Sequence, residues 1–173
     1  NYPLPRVHEF LSRPQNSAML DYVFNDPFGC HVFPGDIADY PLEGFFADMD
    51  REIGQARQIH LWAYIPTCRY RCHFCQYPTV ILNPKAASSQ QVFVDLVDYN
   101  IKEARMWLQK VPSLASAEVG EFNIFGGTPS LLPEPELRRL MDFYLSHFNF
   151  SAATMRFEGE PGTLTRDYLL LLK

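Results

Sequence analysis

The chain has 173 residues, 47% of them hydrophobic, and a formal net charge of −5. That is about one domain's length with enough apolar side chains for a core, while the acidic balance, with no basic run longer than Arg138-Arg139, excludes the electrostatic footprint of a nucleic-acid-binding protein. Its apolar stretches fall short of a bilayer span and no signal-peptide pattern opens it, so the expected setting is soluble and reducing, the cytoplasm, with no membrane partner. Because it begins at Asn1 and ends at Lys173 inside an apolar helical pattern, it reads as a piece of a longer polypeptide.

Residues 1–57 form a lead-in rich in proline and aromatic residues, with one helix expected near 42–58. Proline at this density interrupts regular elements while the aromatics still favour burial. Cys30 stands within it, expected as a buried thiol. Residues 58–65, an apolar and aromatic run closed by Pro66, predict a first strand. The cysteines follow in residues 67–79, Thr-Cys-Arg-Tyr-Arg-Cys-His-Phe-Cys-Gln-Tyr-Pro-Thr. Residues 88–91 offer a capping box for a long helix with Phe93, Leu96, Val97, Ile101, Ala104, Leu108 and Val111 on its apolar face, stopped by Pro112. A second strand is expected at 118–125, followed by the loop Gly126-Gly127-Thr128-Pro129. A second helix starts near Pro135 with Leu137, Leu140, Met141, Tyr144 and Phe148 on one face. A third strand at 154–158 leads through a Gly-Glu-Pro-Gly-Thr loop to a helix from about Thr165.

Strand and helix alternating three times predict an α/β fold with a parallel sheet and right-handed crossovers. Three βα units are too few to close an eight-stranded barrel, which takes about 250 residues. The expected architecture is therefore a partial, open TIM-type barrel over residues 58–173, preceded by the irregular N-terminal segment.

Cys68, Cys72 and Cys75, spaced C-x3-C-x2-C, put three thiolates on one loop. That number suits three corners of an iron-sulfur cluster and leaves the fourth iron without a protein ligand. Zinc held with His73 as a fourth ligand is the bland alternative, but structural zinc sites usually draw pairs of ligands from two knuckles and the chain has no second C-x2-C or H-x3-H. A disulfide framework has little to recommend it, because four cysteines are few and a chain this apolar needs no staples. The loop lies just past the C-terminal end of the first strand, where parallel α/β folds place their sites. The turn after the second strand and Glu158 at the end of the third belong on the same rim. Gly126 and Gly127, without a Cβ, let backbone approach a ligand closely. Each loop alone is a weak signal; in one register they make a site.

These residues resemble the radical S-adenosylmethionine (SAM) enzymes. The cysteine loop with Phe74 before its last cysteine is similar to their cluster motif, and residues 126–130 to their glycine-rich SAM motif. More narrowly, residues 64–68, 126–132 and 158–164 resemble the oxygen-independent coproporphyrinogen III oxidase-like (HemN-like) branch, in the family's order. The resemblance implies that Cys68, Cys72 and Cys75 hold a 4Fe-4S cluster whose open iron is chelated by SAM. It places Gly126, Gly127 and Thr128 at the methionine amino group, Phe74 near the adenine, and Glu158 beside SAM. Reductive cleavage of SAM would then give a 5'-deoxyadenosyl radical for C-H activation, with the protein orienting substrate and excluding water. The implied partners are a small-molecule substrate and a reducing protein such as flavodoxin or ferredoxin.

The chain departs from the branch at informative places. Trp62 and Tyr64 stand where Tyr and His are common, Tyr77 where the decarboxylating enzymes carry a further cysteine, and Phe125 where a third glycine is usual. These differences bear on the substrate rather than on the cluster. The expected function is C-H activation on a substrate other than coproporphyrinogen, by a methylase, which would use two SAM molecules, or a C-C bond-forming enzyme. Anaerobic oxidation of coproporphyrinogen III and a heme-binding chaperone role are the alternatives. A tetracarboxylate substrate needs cationic partners, and the cluster loop offers only Arg69 and Arg71.

Overall fold

The computed structural model describes residues 41–173 together with Glu9, Arg13 and Pro14. By Cα proximity the chain divides into Asn1–Tyr40 and Pro41–Lys173. Most of the proline-rich lead-in, with Cys30, therefore lies outside the described residues.

Helix α1 spans Leu42–Gln55, three residues short of its expected end. It buries no residue fully, but Phe46, Met49 and Ile53 lean on the core and the Phe46 ring meets Trp107 edge-on at 5.7 Å. Asp50 accepts a hydrogen bond from the Ser113 backbone N–H at 2.7 Å, tying α1 to the chain beyond the long helix. Strand β1 follows at Ile59–Ile65. Two two-residue strands, β2 (Thr67–Cys68) and β3 (Val80–Ile81), pair in parallel and close the ends of the cysteine loop. Sequence periodicity could not show them, because two residues carry no alternation.

Helix α2 runs Ala87–Lys110 and buries Phe93, Val97, Ile101 and Ala104, four positions of the expected face. The expected capping box does not form: the helix starts after Ala86 with no side-chain cap, placing residues 88–91 inside the first turn. Asn83 turns the chain into the helix instead, its Oδ1 accepting from Lys85 N–H at 3.1 Å and its carbonyl from Ala86 N–H at 3.0 Å. Pro112 begins a 3-10 turn, Pro112–Ala115, consistent with its missing N–H ending the helix.

Strand β4 spans Val119–Gly126, helix α3 Glu134–His147 with Pro135 in its first turn, strand β5 Thr154–Phe157, and helix α4 Arg166–Leu171. The Thr165 side chain caps α4 by accepting from Tyr168 N–H at 3.1 Å. The sheet order is β1-β4-β5, parallel throughout, so the α/β alternation read from the sequence gives the parallel sheet it predicts.

Ile59, Ala63 and Ile65 of β1 and Phe122 and Ile124 of β4 enter one core with α2 and α3. Alternation sends His60, Trp62, Glu121 and Arg156 to the opposite face, where Arg156 Nε pairs with Glu121 at 3.1 Å. Among the described residues strand β1 is an edge of this sheet, and Asn100 of α2 satisfies part of it. Its Oδ1 accepts from Tyr64 N–H and its Nδ2 donates to Tyr64 C=O, both at 3.1 Å. A polar residue on the inner side of a helix thus blunts a strand edge next to the cysteines.

Tyr144 stacks on Phe122 with ring centroids 4.6 Å apart, and burial, with Glu103 nearby, pushes its phenol up to about 12. Burial raises Tyr168 as well. Because the folded-state values lie above the unfolded ones, the stability these neutral phenols contribute is complete below about pH 10 and is lost as pH rises through the folded values. Stability is therefore expected to fall from about pH 10 towards 12. Tyr144→Phe should flatten that fall, which denaturant midpoints measured across the range would reveal.

Candidate functional site

At the C-terminal ends of the three strands a cavity of about 340 Å³ is bordered by all eight residues singled out in the sequence: Cys68, Cys72, Cys75, Phe74, Gly126, Gly127, Thr128 and Glu158. Parallel strands ending together explain the convergence, since each βα loop leaves the sheet on the same side. The register sets Ile65 opposite Gly126, and Glu158 N–H donates to Ile124 C=O at 3.0 Å just beyond β5.

The glycine loop packs directly on the first cysteine. Gly127 N–H donates to Ile65 C=O at 2.9 Å and Thr128 N–H to Thr67 C=O at 2.7 Å, continuing the strand ladder into the loop. A Cβ on Gly127 would lie 2.5 Å from the Thr67 oxygen and 2.8 Å from Cys68 Sγ, so only glycine permits this approach. Gly126 has φ +128°, a left-handed conformation that side chains rarely adopt. Its N–H donates to Glu158 Oε2 at 3.2 Å, which brings the carboxylate of the third loop onto the second. The Thr128 hydroxyl stands 3.6 Å from Cys68 Sγ as a donor.

All three thiols are free and partly exposed. Among the described residues no group of three His, Cys, Asp or Glu side chains is set around a point as a single metal ion requires. His73, the fourth ligand a zinc site would want, is absent from the cavity lining. Phe74, 85% exposed, packs into no core and leaves its ring free at the rim.

Glu160, which the sequence did not single out, is engaged here with Arg69, which the sequence offered only as a possible partner for substrate carboxylates. Arg69 and Glu160 form an ion pair across the rim, with Arg69 Nε donating to Glu160 Oε2 at 3.2 Å and Nη2 to Oε1. Ser130, 4% exposed, accepts from Glu160 N–H at 2.9 Å. No local signal marks such a pair, because its members are 91 residues apart in the chain.

Thr67 Oγ1, by contrast, is buried with no hydrogen-bond partner among the described residues. Removing an unsatisfied hydroxyl recovers its desolvation cost. Thr67→Val should therefore raise stability by about 1 kcal/mol, read as a denaturant midpoint shift at constant slope.

A second cavity, of about 400 Å³, lies where α1, α2 and β1 meet. It is lined by apolar residues such as Met49, Ile53 and Trp107 and shares none with the first. Among the described residues no helix is long and apolar enough to cross a membrane.

No protein-family model matches the chain. Among curated proteins it is 25% identical over 147 residues to the oxygen-independent coproporphyrinogen III oxidase of Escherichia coli K12, covering 84% of this chain and 27% of that one. The Salmonella typhimurium oxidase of the same name is 25% identical over 65% of this chain and 23% of its own length. The heme chaperone HemW of Escherichia coli K12 is 28% identical over 63% of this chain and 27% of its own. The chain thus spans about a quarter of the length of the curated relatives it matches. Among solved structures, coproporphyrinogen III oxidase (HemN) from Escherichia coli, described as a radical SAM enzyme, superposes with a TM-score of 0.60 at 24% identity, over 78% of this chain and 29% of that one. Sequence and fold agree on one likeness: the chain is similar in sequence to the oxygen-independent coproporphyrinogen III oxidases and shares its fold with HemN.

Proposed function

We propose that this chain is the cofactor-binding portion of a radical SAM enzyme, with its three βα units forming part of an open barrel. Cys68, Cys72 and Cys75 would hold a 4Fe-4S cluster, and Gly126, Gly127, Thr128, Glu158 and Phe74 would hold SAM. When bound, cluster and SAM together supply reductive cleavage of the sulfonium and a 5'-deoxyadenosyl radical for C-H activation. The observation that carries the reading is the shared cavity: cysteine loop, glycine loop and Glu158 border one space at the strand ends.

The chain's own groups account for binding and orientation. Glu158 uses one carboxylate oxygen on Gly126 N–H, which leaves the other for an ammonium group. Gly127 brings the loop backbone against the first cysteine without a side chain intervening. Thr128 offers its hydroxyl as a donor to Cys68 Sγ, which holds the first cysteine against the glycine loop. Phe74 presents an exposed ring on which a purine can stack.

For the substrate we favour a small molecule other than coproporphyrinogen, acted on by a methylase, with a second SAM, or by a C-C bond-forming enzyme. One observation supports this: of the two cations on the cysteine loop, Arg69 is already committed to Glu160, leaving Arg71 to meet carboxylates. The second reading, oxidation of coproporphyrinogen III, has the names of the relatives in its favour, and HemW adds heme handling as a third. A reducing protein such as flavodoxin or ferredoxin would supply the electron, and a cytoplasmic setting goes with it.

The test is anaerobic reconstitution of the longest form of the protein, measuring iron, zinc and the electron paramagnetic resonance (EPR) spectrum of the reduced cluster with and without SAM. About four irons per chain and a SAM-dependent spectrum support the reading, and product analysis then separates methyl transfer from decarboxylation. Zinc in place of iron, or a cluster indifferent to SAM, would sink it.

A further inference from the structure

Glu158 and Glu160 stand two positions apart on the loop after β5, yet each is tied to a different loop. Glu158 reaches the glycine loop through Gly126 N–H. Glu160 reaches the cysteine loop through Arg69, the residue after Cys68, by two parallel bonds from Nε and Nη2. A guanidinium-carboxylate fork fixes direction as well as distance, which a single hydrogen bond does not.

The carboxylate would be a poor anchor if its own loop were loose. Its backbone is instead locked by a closed ring of three hydrogen bonds. Glu160 N–H donates to Ser130 Oγ at 2.9 Å, Ser130 Oγ and Thr163 Oγ1 meet at 2.5 Å, and Thr163 Oγ1 donates to Glu160 C=O at 2.8 Å. The ring gives the buried Ser130 hydroxyl both a donor and an acceptor, so its burial carries no unsatisfied cost. Tyr168 of α4 then donates to Pro129 C=O at 3.3 Å and holds the glycine loop from behind. Arg69 is thus gripped by a segment that the second and third loops build jointly.

We infer that Arg69 and Glu160 are positioning residues that fix the cysteine loop against the other two loops and so set the geometry in which the cofactor pair is held. The inference rests on the functional reading above and adds to it two residues of the cavity rim whose charged groups are engaged with each other. A pair on a rim that served only as a surface ion pair would have little effect when broken. A pair that sets the loop's position should alter SAM binding while leaving the cluster ligands in place.

The experiment uses the longest form of the protein, reconstituted without oxygen, as wild type, Arg69→Gln, Glu160→Gln, the double variant, Arg69→Lys, and the charge reversal Arg69→Glu with Glu160→Arg. Three quantities are read: iron per chain, SAM affinity from the change in the reduced-cluster EPR spectrum, and hydrogen exchange of residues 67–82 in the cluster-free protein. Both single variants should keep about four irons per chain and bind SAM roughly tenfold more weakly, with faster exchange in the cysteine loop. The double variant should be no worse than either single one. Lysine, a point charge without a fork, should fail to rescue, whereas the reversed pair should recover most of the affinity and the exchange protection.

Unchanged affinity in both single variants, losses that multiply in the double variant, or exchange confined to wild-type rates would each overturn the inference. Wild-type protein that forms no SAM-responsive cluster would overturn the functional reading and this inference with it. Wild-type response with indifferent variants overturns the inference alone.

Discussion

Replacing any one of Cys68, Cys72 and Cys75 with alanine is expected to lower the iron retained after anaerobic reconstitution and desalting by roughly tenfold or more. The reason lies in the count. With three thiols lining the cavity and His73 outside it, no other side chain of similar softness among the described residues borders the cavity to replace a lost ligand. The fold itself should survive. All three cysteines are partly exposed, and the buried core that joins β1 and β4 to α2 and α3 contains none of them. Far-ultraviolet circular dichroism should therefore be unchanged while iron and sulfide are lost. A variant that keeps its full iron complement would remove that cysteine from the ligand set, and if all three did so the cluster reading would fail.

Gly127→Ala carries the other large effect, and it acts by crowding rather than by removing a ligand. The added methyl would meet the Thr67 carbonyl oxygen at 2.5 Å and Cys68 Sγ at 2.8 Å, both far inside contact distance. Neither neighbour can give way cheaply. Thr67 is fully buried, and its carbonyl already accepts from Thr128 N–H. We expect a loss of about 1–3 kcal/mol of stability, the usual cost of overpacking, together with weakened retention of iron because Cys68 itself is displaced. Gly162→Ala is the matched control, because a Cβ there meets nothing closer than Arg69 Nη2 at 3.4 Å. Thermal unfolding and iron content of the two variants, measured side by side, separate crowding at the cluster loop from a general intolerance of alanine. Equal behaviour of the two would show that the close approach at Gly127 is unimportant.

Much of this architecture is local in origin and so could be read in advance. The strands announced themselves because β1 and β4 are apolar runs of strand length ended by Pro66 and by glycine, and α2 because Phe93, Val97, Ile101 and Ala104 recur at helical spacing. Pro112 and Thr165 acted where their chemistry said they would, one ending a helix and the other capping one. The capping box at 88–91 misled for the same local reason. The pattern was present, but Asn83 and Ala86 had already turned the chain, and the helix began earlier. Residues up to 40 lie outside what the structure describes, apart from three isolated positions.

The sequence alone determined which segments meet at the candidate site, since the spacing of three thiols, a paired glycine after a strand and an acid after the next are all properties of short segments, as is the strand and helix alternation that lines them up. What only the tertiary structure decided is how those segments are held to one another: Asn100 on the edge of β1, the ring through Ser130 and Thr163, and the Arg69–Glu160 fork. Each of these joins residues from about 30 to 91 positions apart. Periodicity and capping rules describe neighbours within a few residues, whereas long-range polar pairs exist only once packing has brought the loops together and excluded enough water to make a fixed geometry worth its entropy.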